Sequence, residues 1–500
     1  MKSYRPYSPE QSFLLPPSPA EWLPEDHLAY FVLDLLADKD LSAFERVLQA
    51  KDARGERPFA PRMMLGLLVY GYSVGVFSSR KIERATYQDV AFRVLAGGEH
   101  PHFTTINEFR LRHRDAFGEL FHQVLEDCMS AGLVTLGHVA IDGTKMKANA
   151  SKHKAMSYDR MKKDEERLKA EIEELISRAE ATDAAEDAAH GVGQQPSDLP
   201  VELRRREGRR ALIKANREAL EKEAAKVRAA QLVAQADKMR VQAASPFLSD
   251  QKRGEFETKA AQRDQESADL DDDDPDPPAI NDDIPRNTRP MTPDGTPKPK
   301  AQRNFTDPDS RIMMRDGAFL QAFNAQLAVD EANQIIVAAV VGNQGADAQY
   351  FEPVLRRVVD NCNAVPEVTT ADAGYFSAKN VGAAEHLGTD PYIAVGAHRN
   401  DGSPDDEPTN VSRQRASFFT PTRTEMRAKI ATDEGRARYA RRKATVEPVI
   451  GQIRTRGFQH FSLRGLLKVR CEWLLVAATH NILKLWRRIG RQRLRQLTAA

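Results

Sequence analysis

The chain has little cysteine. Its three cysteines, Cys128, Cys362 and Cys471, lie far apart, which excludes a disulfide framework and zinc-ligand spacing and points to a reducing compartment. It also lacks long apolar runs. The N-terminal MKSYRPYSPEQ has no signal-peptide stretch and no segment approaches a membrane span, so a cytoplasmic protein without membrane contact is expected. Net charge is nearly absent, at a formal +1, but the charge is segregated. Residues 269–283 (DLDDDDPDPPAINDD) are acidic, whereas residues 441–495 carry 14 Lys/Arg against only Glu447 and Glu472. That asymmetry predicts a polyanionic partner for the C-terminal part.

A chain of 500 residues is too long for one ordinary core, so two or three structural units are expected. Residues 25–133 show apolar residues at helical spacing and no strand alternation, which predicts an all-helical N-terminal part. Within it, PRMMLGLLVYGYSVGVFSSRKIERA reads as two helices around a glycine-containing turn. From about residue 155 two long charged helices, joined by GVGQQPSDLP, suggest an antiparallel hairpin or coiled coil. Residues 264–304 are acidic and Pro-rich and read as a disordered linker. Strands are then expected at 322–330, 334–342 and 367–374, with a helix between the last two. Two more helices are expected around 446–456 and 465–488. Strands broken by helices predict an α/β domain with a central mixed sheet.

The stretch HVAIDGTKMKANAS (138–151) raises the chemical question. Its short strand HVAID ends on Asp142, with Gly143 and Thr144 expected to turn the chain. Asp372 ends EVTTAD in the same manner, before Ala373 and Gly374. Two strand-end carboxylates in one sheet repel unless a cation lets both ionise, and oxygen donors favour Mg²⁺ or Mn²⁺. Glu447 is a rare acid in ARYARRKATVEPVIGQIRTRGF. Thr445 is the expected N-cap there, with Glu447 and Pro448 in the first turn and Arg454 on the same helical face. A single strand-end Asp is more often a turn or cap residue; Asp330 and Asp347 are read that way. Trp473 and His480 are read as core packing.

Taken together, these segments resemble the DDE transposases of bacterial insertion sequences with an InsH-type N-terminal domain. The resemblance runs through PRMMLGLLVYGYSVGVFSSRKIERA and TTINEFRLRH, then HVAIDGTKMKANAS, FTDPDSRIMM, FNAQLAVD, TTADAGYFS and the block from Tyr439 to Leu485. It implies a ribonuclease H-like α/β fold with Asp142, Asp372 and Glu447 as the catalytic, metal-holding triad. The implied layout is a helical DNA-binding domain over 1–135, a catalytic domain split between 136–154 and 305–490, and an insertion over 155–304. Against the related Y-x2-R-x3-E-x6-K signature, counted from Glu447, Lys443 takes the arginine position and Arg454 the lysine position. Ala440 takes the tyrosine position, with Tyr439 one residue off.

The resemblance further implies cleavage and strand transfer on DNA with two divalent ions. The expected partners are the element's terminal inverted repeats, target DNA and a second copy of the chain. The site of action would be the nucleoid. Arg80 and Lys81, near a turn, are read either as contacts to the terminal repeats or as ordinary helix surface. Lys145 and Lys147 are read as facing the DNA backbone or as solvated strand residues. Two other readings compete: a ribonuclease H-like nuclease without strand transfer, and a catalytically silent DNA-binding relative.

Overall fold

A computed structural model describes residues 21–49, 57–190, 201–245, 247–270, 284–285, 289–395 and 421–498. Seven helices come first: α1 (Leu28–Ala37), α2 (Ser42–Gln49), α3 (Pro61–Ser73), α4 (Ser79–Gln88), α5 (Val90–Ala96), α6 (Phe103–Arg112) and α7 (Ala116–Ser130). Strands β1 (His138–Lys147) and β2 (Ala155–Ser157) follow, then α8 (Tyr158–His190), α9 (Val201–Ala243) and α10 (Asp250–Ala268). Strands β3 (Gln302–Asn304), β4 (Arg311–Arg315), β5 (Ala318–Asp330) and β6 (Ile335–Gly342) lead to α11 (Phe351–Cys362), β7 (Val368–Ala371), α12 (Ala378–Leu387) and β8 (Asp390–Ile393). The last elements are α13 (Pro421–Ala431), α14 (Asp433–Thr455) and α15 (Leu466–Thr498), the last broken at Gly490.

The chain divides into two compact units. One comprises residues 1–146, 324–342 and 346–500; the other comprises 147–323 and 343–345. In the first unit the sheet order is β6-β5-β1-β7-β8. Strands β5 and β6 are antiparallel, while β7 runs parallel to both β1 and β8. Residues 324–330 of β5 and nearly all of β6 are buried; the unbroken apolar run of β6 is what a sheet covered on both faces requires, while β5 buries Asn324, Gln326 and Asp330 among its apolar residues. Helix α15 packs on β6 and also meets α1, α3 and α7, so the N-terminal helices share this unit with the sheet. Asn481 of α15 completes the β6 edge: its amide accepts from Ile336 N–H at 2.9 Å and donates to Ile336 C=O at 2.8 Å. That satisfies backbone groups which an uncovered edge would leave unpaired. Trp473 is buried as expected and donates its indole N–H to Gln326 C=O.

The second unit holds α8, α9 and α10, with α9 packed against both others. Ion pairs Arg217–Glu165 and Arg206–Glu171 set α8 and α9 antiparallel. Sequence periodicity missed α10, a helix of mixed charge whose last residues, 264–268, fall in the expected linker. The linker reading fails for residues 289–304. Arg289 donates to Gln302 C=O and Pro308 C=O, and β3 pairs antiparallel with β2. Most of the acidic core of that expected linker, 271–283, and the expected loop at 191–200 lie outside the described residues. Among the described residues no helix is long and apolar enough to cross a membrane, and all three cysteines are free and buried.

Candidate active site

Parallel pairing of β1 with β7 sets Ile141 opposite Ala371. Asp142 is the next residue on β1 and Asp372 follows the end of β7, and neighbouring strands lie only about 4.8 Å apart. Burial pushes the Asp142 carboxyl up, Arg442 and the Gly143 N–H pull it down, and the Asp372 charge pushes it up again, leaving it at about 6. Asp372 Oδ1 accepts from Gly374 N–H at 2.8 Å, so it caps its own turn while standing beside Asp142.

Strand β1 does not end at Asp142. It continues through Gly143 and Thr144 to Lys147, so the expected turn is absent. The glycine serves a close approach instead: a Cβ there would lie 2.2 Å from Gln326 Nε2. Gln326 is fully buried beneath it and donates to Asn324 Oδ1 and Asp347 Oδ1, while accepting from the Tyr375 hydroxyl. Asp347, read as a helix cap, instead takes an ion pair from Lys145 at 2.6 Å and a hydrogen bond from Asn324 at 2.7 Å. Lys145 is therefore turned toward a carboxylate, whereas Lys147 is exposed. Asp330 holds a turn, accepting from Leu136 N–H and Ala332 N–H.

The third carboxylate sits mid-helix. Thr432, not Thr445, caps α14, and Thr445 bonds back to Arg441 C=O at 2.8 Å. Pro448 lies inside the helix; lacking an N–H, it deprives Ala444 C=O of its partner four residues on. Gln334 Nε2 donates to that carbonyl at 2.9 Å, which is how the helix runs through a proline.

Arg442 was overlooked by the sequence reading. Its guanidinium donates to Asp142 Oδ2 at 2.9 Å and to Glu447 Oε1 at 2.8 Å. Burial works against its charge, but Asp142, Tyr439 and Glu447 hold its pKa above the ordinary arginine value. Tyr439 lies 6.0 Å from it, ring centroid to guanidinium. The Tyr-x2-Arg spacing is thus kept by Tyr439 and Arg442, with one extra residue before Glu447. Lys443, given the arginine position from sequence, is exposed, as is Ala440. Arg454 donates to the Thr144 hydroxyl on β1. Arg80 and Lys81 are exposed on α4, with the Arg80 guanidinium 4.7 Å from the Phe103 ring.

Adjacent carboxylates at Asp142 and Asp372 supply the hard oxygen donors that suit a divalent cation. Among the described residues no three His, Cys, Asp or Glu side chains stand close enough to hold a metal ion together. Arg442, bonded to both Asp142 and Glu447, takes the place between them.

Residues 292–482 match the family model described as a transposase DDE domain, and residues 17–112 match a transposase domain, DUF772. The chain is an insertion-sequence DDE transposase. This transposase is therefore a divalent-metal-dependent enzyme of DNA phosphoryl transfer, and its partner is DNA. The first match spans Asp372 and Glu447 but not Asp142, which lies before the second unit's helices. The other match spans Arg80 and Lys81. No curated protein and no solved structure gives a significant match to the chain.

Proposed function

We propose that this transposase binds the terminal inverted repeats of an insertion sequence, cuts the DNA there and joins the freed 3′-ends to target DNA. Asp142, Asp372 and Glu447 are the catalytic and metal-holding carboxylates. The observation that supports this reading is that Asp142 on β1 and Asp372 just after β7 each follow the paired residues Ile141 and Ala371, with Arg442 tying Glu447 to Asp142. Two Mg²⁺ or Mn²⁺ ions suit these oxygen donors, and when bound they polarise the phosphoryl group and ionise water at neutral pH. Asp142 and Asp372 would then be ionised together, and Glu447 would exchange its bond to Arg442 for a cation.

Arg442 has the fork geometry that matches phosphate oxygens, a role lysine fills less well. Arg454 grips the backbone next to the cut, and the exposed Lys443 adds a point charge. The N-terminal helices, residues 1–135, carry the end-binding role, with Arg80 and Lys81 on phosphates of the terminal repeat. Residues 136–154 and 305–490 form the ribonuclease H-like catalytic part around the insertion 155–304. Cutting two ends together calls for a homodimer, acting in the cytoplasm at the nucleoid.

The test uses linear DNA carrying an element end, in Mg²⁺. Asp142→Asn, Asp372→Asn and Glu447→Gln should abolish cleavage and leave DNA retention intact. Asp372→Ala protein that cuts at the wild-type rate would sink the assignment. Cleavage without joining of pre-cut 3′-ends to target DNA would make the enzyme a nuclease.

A further inference from the structure

Beyond Glu447 the helix α14 ends beside a cleft of about 280 Å³, whose lining includes Gln452, Arg456, His480, Lys484 and Arg487. Among the described residues no carboxylate lines it. Burial and the neighbouring Arg487 push Arg456 down to about 10, and burial, Arg487 and Arg456 push Lys484 down. Burial, with Arg456 next, depresses His480 to about 3. Like charges gathered in a concave, partly desolvated place raise one another's cost, and an anion relieves it.

The hydrogen bonds keep these groups aimed rather than neutralised. His480 Nε2 lies 2.9 Å from Gln334 C=O, which puts its proton there and leaves Nδ1 to accept from Arg456 Nη2 at 3.3 Å. Lys484 Nζ donates to Gln334 Oε1 at 2.8 Å. Arg456 Nε covers the Gln452 carbonyl at the helix end, which would otherwise face an anion. At 1.5 Å rise and 100° per residue, Arg456 stands about 14 Å along the helix from Glu447 and on its opposite side. The cleft is therefore separate from the carboxylates. A water's share of liquid is about 30 Å³, so the volume admits a phosphate group with some of its waters.

We propose that this cleft binds a phosphate of the DNA backbone, held by Arg456, Lys484 and Arg487 away from the catalytic carboxylates. The proposal rests on this transposase binding DNA. It is tested on the full chain, by fluorescence anisotropy with a duplex that carries no element end, across a series of salt concentrations. Each backbone phosphate neutralised contributes about 0.9 to the slope of log affinity against log salt. The Lys484→Gln/Arg487→Gln protein should lose about that much slope relative to the wild type, and an unchanged slope overturns the proposal. A wild type that binds no DNA would instead overturn the DNA-binding reading itself.

A second measurement covers a variant that fails to fold. In the wild type, inorganic phosphate should move the His480 imidazole ¹⁵N resonances saturably where chloride does not, and duplex DNA should compete that shift away. A phosphate shift that DNA leaves untouched assigns the cleft to free phosphate and overturns the proposal, as does no shift with either.

Discussion

Replacing Arg442 with leucine should move metal binding and DNA cutting in opposite directions. The guanidinium occupies Asp142 Oδ2 at 2.9 Å, with the two side chains only 10% and 16% exposed. A hydrogen bond to a charged group of this kind contributes about 1.5–3 kcal/mol. The bond to Glu447 counts for less, because that side chain is 46% exposed and solvent screens it to roughly 0.2–1 kcal/mol. A cation entering at Asp142 must replace the first bond, so Arg442→Leu should bind Mn²⁺ roughly 10- to 150-fold more tightly. The measurement, calorimetric or by the EPR of free Mn²⁺, belongs at pH 8. Without Arg442 the Asp142 carboxyl loses its largest downward influence and moves up from about 6, so the measurement is repeated at about pH 9 to check that ionisation is complete in both proteins. Cleavage should fall by on the order of 100-fold, the usual cost of one lost donor to a developing charge. If Mn²⁺ binding weakens or stays unchanged, Arg442 does not occupy the cation's place and the reasoning fails.

Asp372→Asn removes the like charge beside Asp142, so the Asp142 carboxyl, at about 6 in the native protein, should titrate at lower pH by ¹³C NMR. A rise would contradict the pairing. Gly143→Ala puts a methyl group against Gln326 and should destabilise the fold by about 1–3 kcal/mol, read as a lower melting temperature; an unchanged melting temperature would refute the close approach. His480, depressed to about 3, is neutral in the folded chain while the unfolded chain takes up a proton below about pH 6.5. Its contribution to stability is thus present above that pH and lost as pH falls, by about 2 kcal/mol between pH 7 and pH 5. His480→Gln should remove that part of the pH dependence, and an imidazole that titrates near pH 6 in the folded protein would refute it.

Asp142, Asp372 and Glu447 could be singled out from sequence because each stands where a charge is locally odd: after a short strand-like run, or alone among cations. Their neighbours were harder to see. Counting back from Glu447 placed the arginine role on Lys443, but one residue turns a helix by about 100°, and Arg442 is the side chain that points inward. The proline at 448 suggested a helix start, because nothing local reveals that Gln334, on a distant segment, satisfies Ala444 C=O. Gly143 looked like a turn for the same reason: only the buried Gln326 shows that the glycine makes room. The apolar run of β6 was legible from composition alone. The four-residue β8 (DPYI) was not, since its burial depends on pairing with β7.

The central claim is that Asp372 and its partners hold the cation that supports cutting. Thiolate is a soft ligand that Mg²⁺ accepts poorly and Mn²⁺ tolerates better. End cleavage by Asp372→Cys should therefore be lost in Mg²⁺ and recovered in Mn²⁺, while wild-type protein cuts in both. An Asp372→Cys protein that cuts as well as wild type in Mg²⁺ would contradict the account.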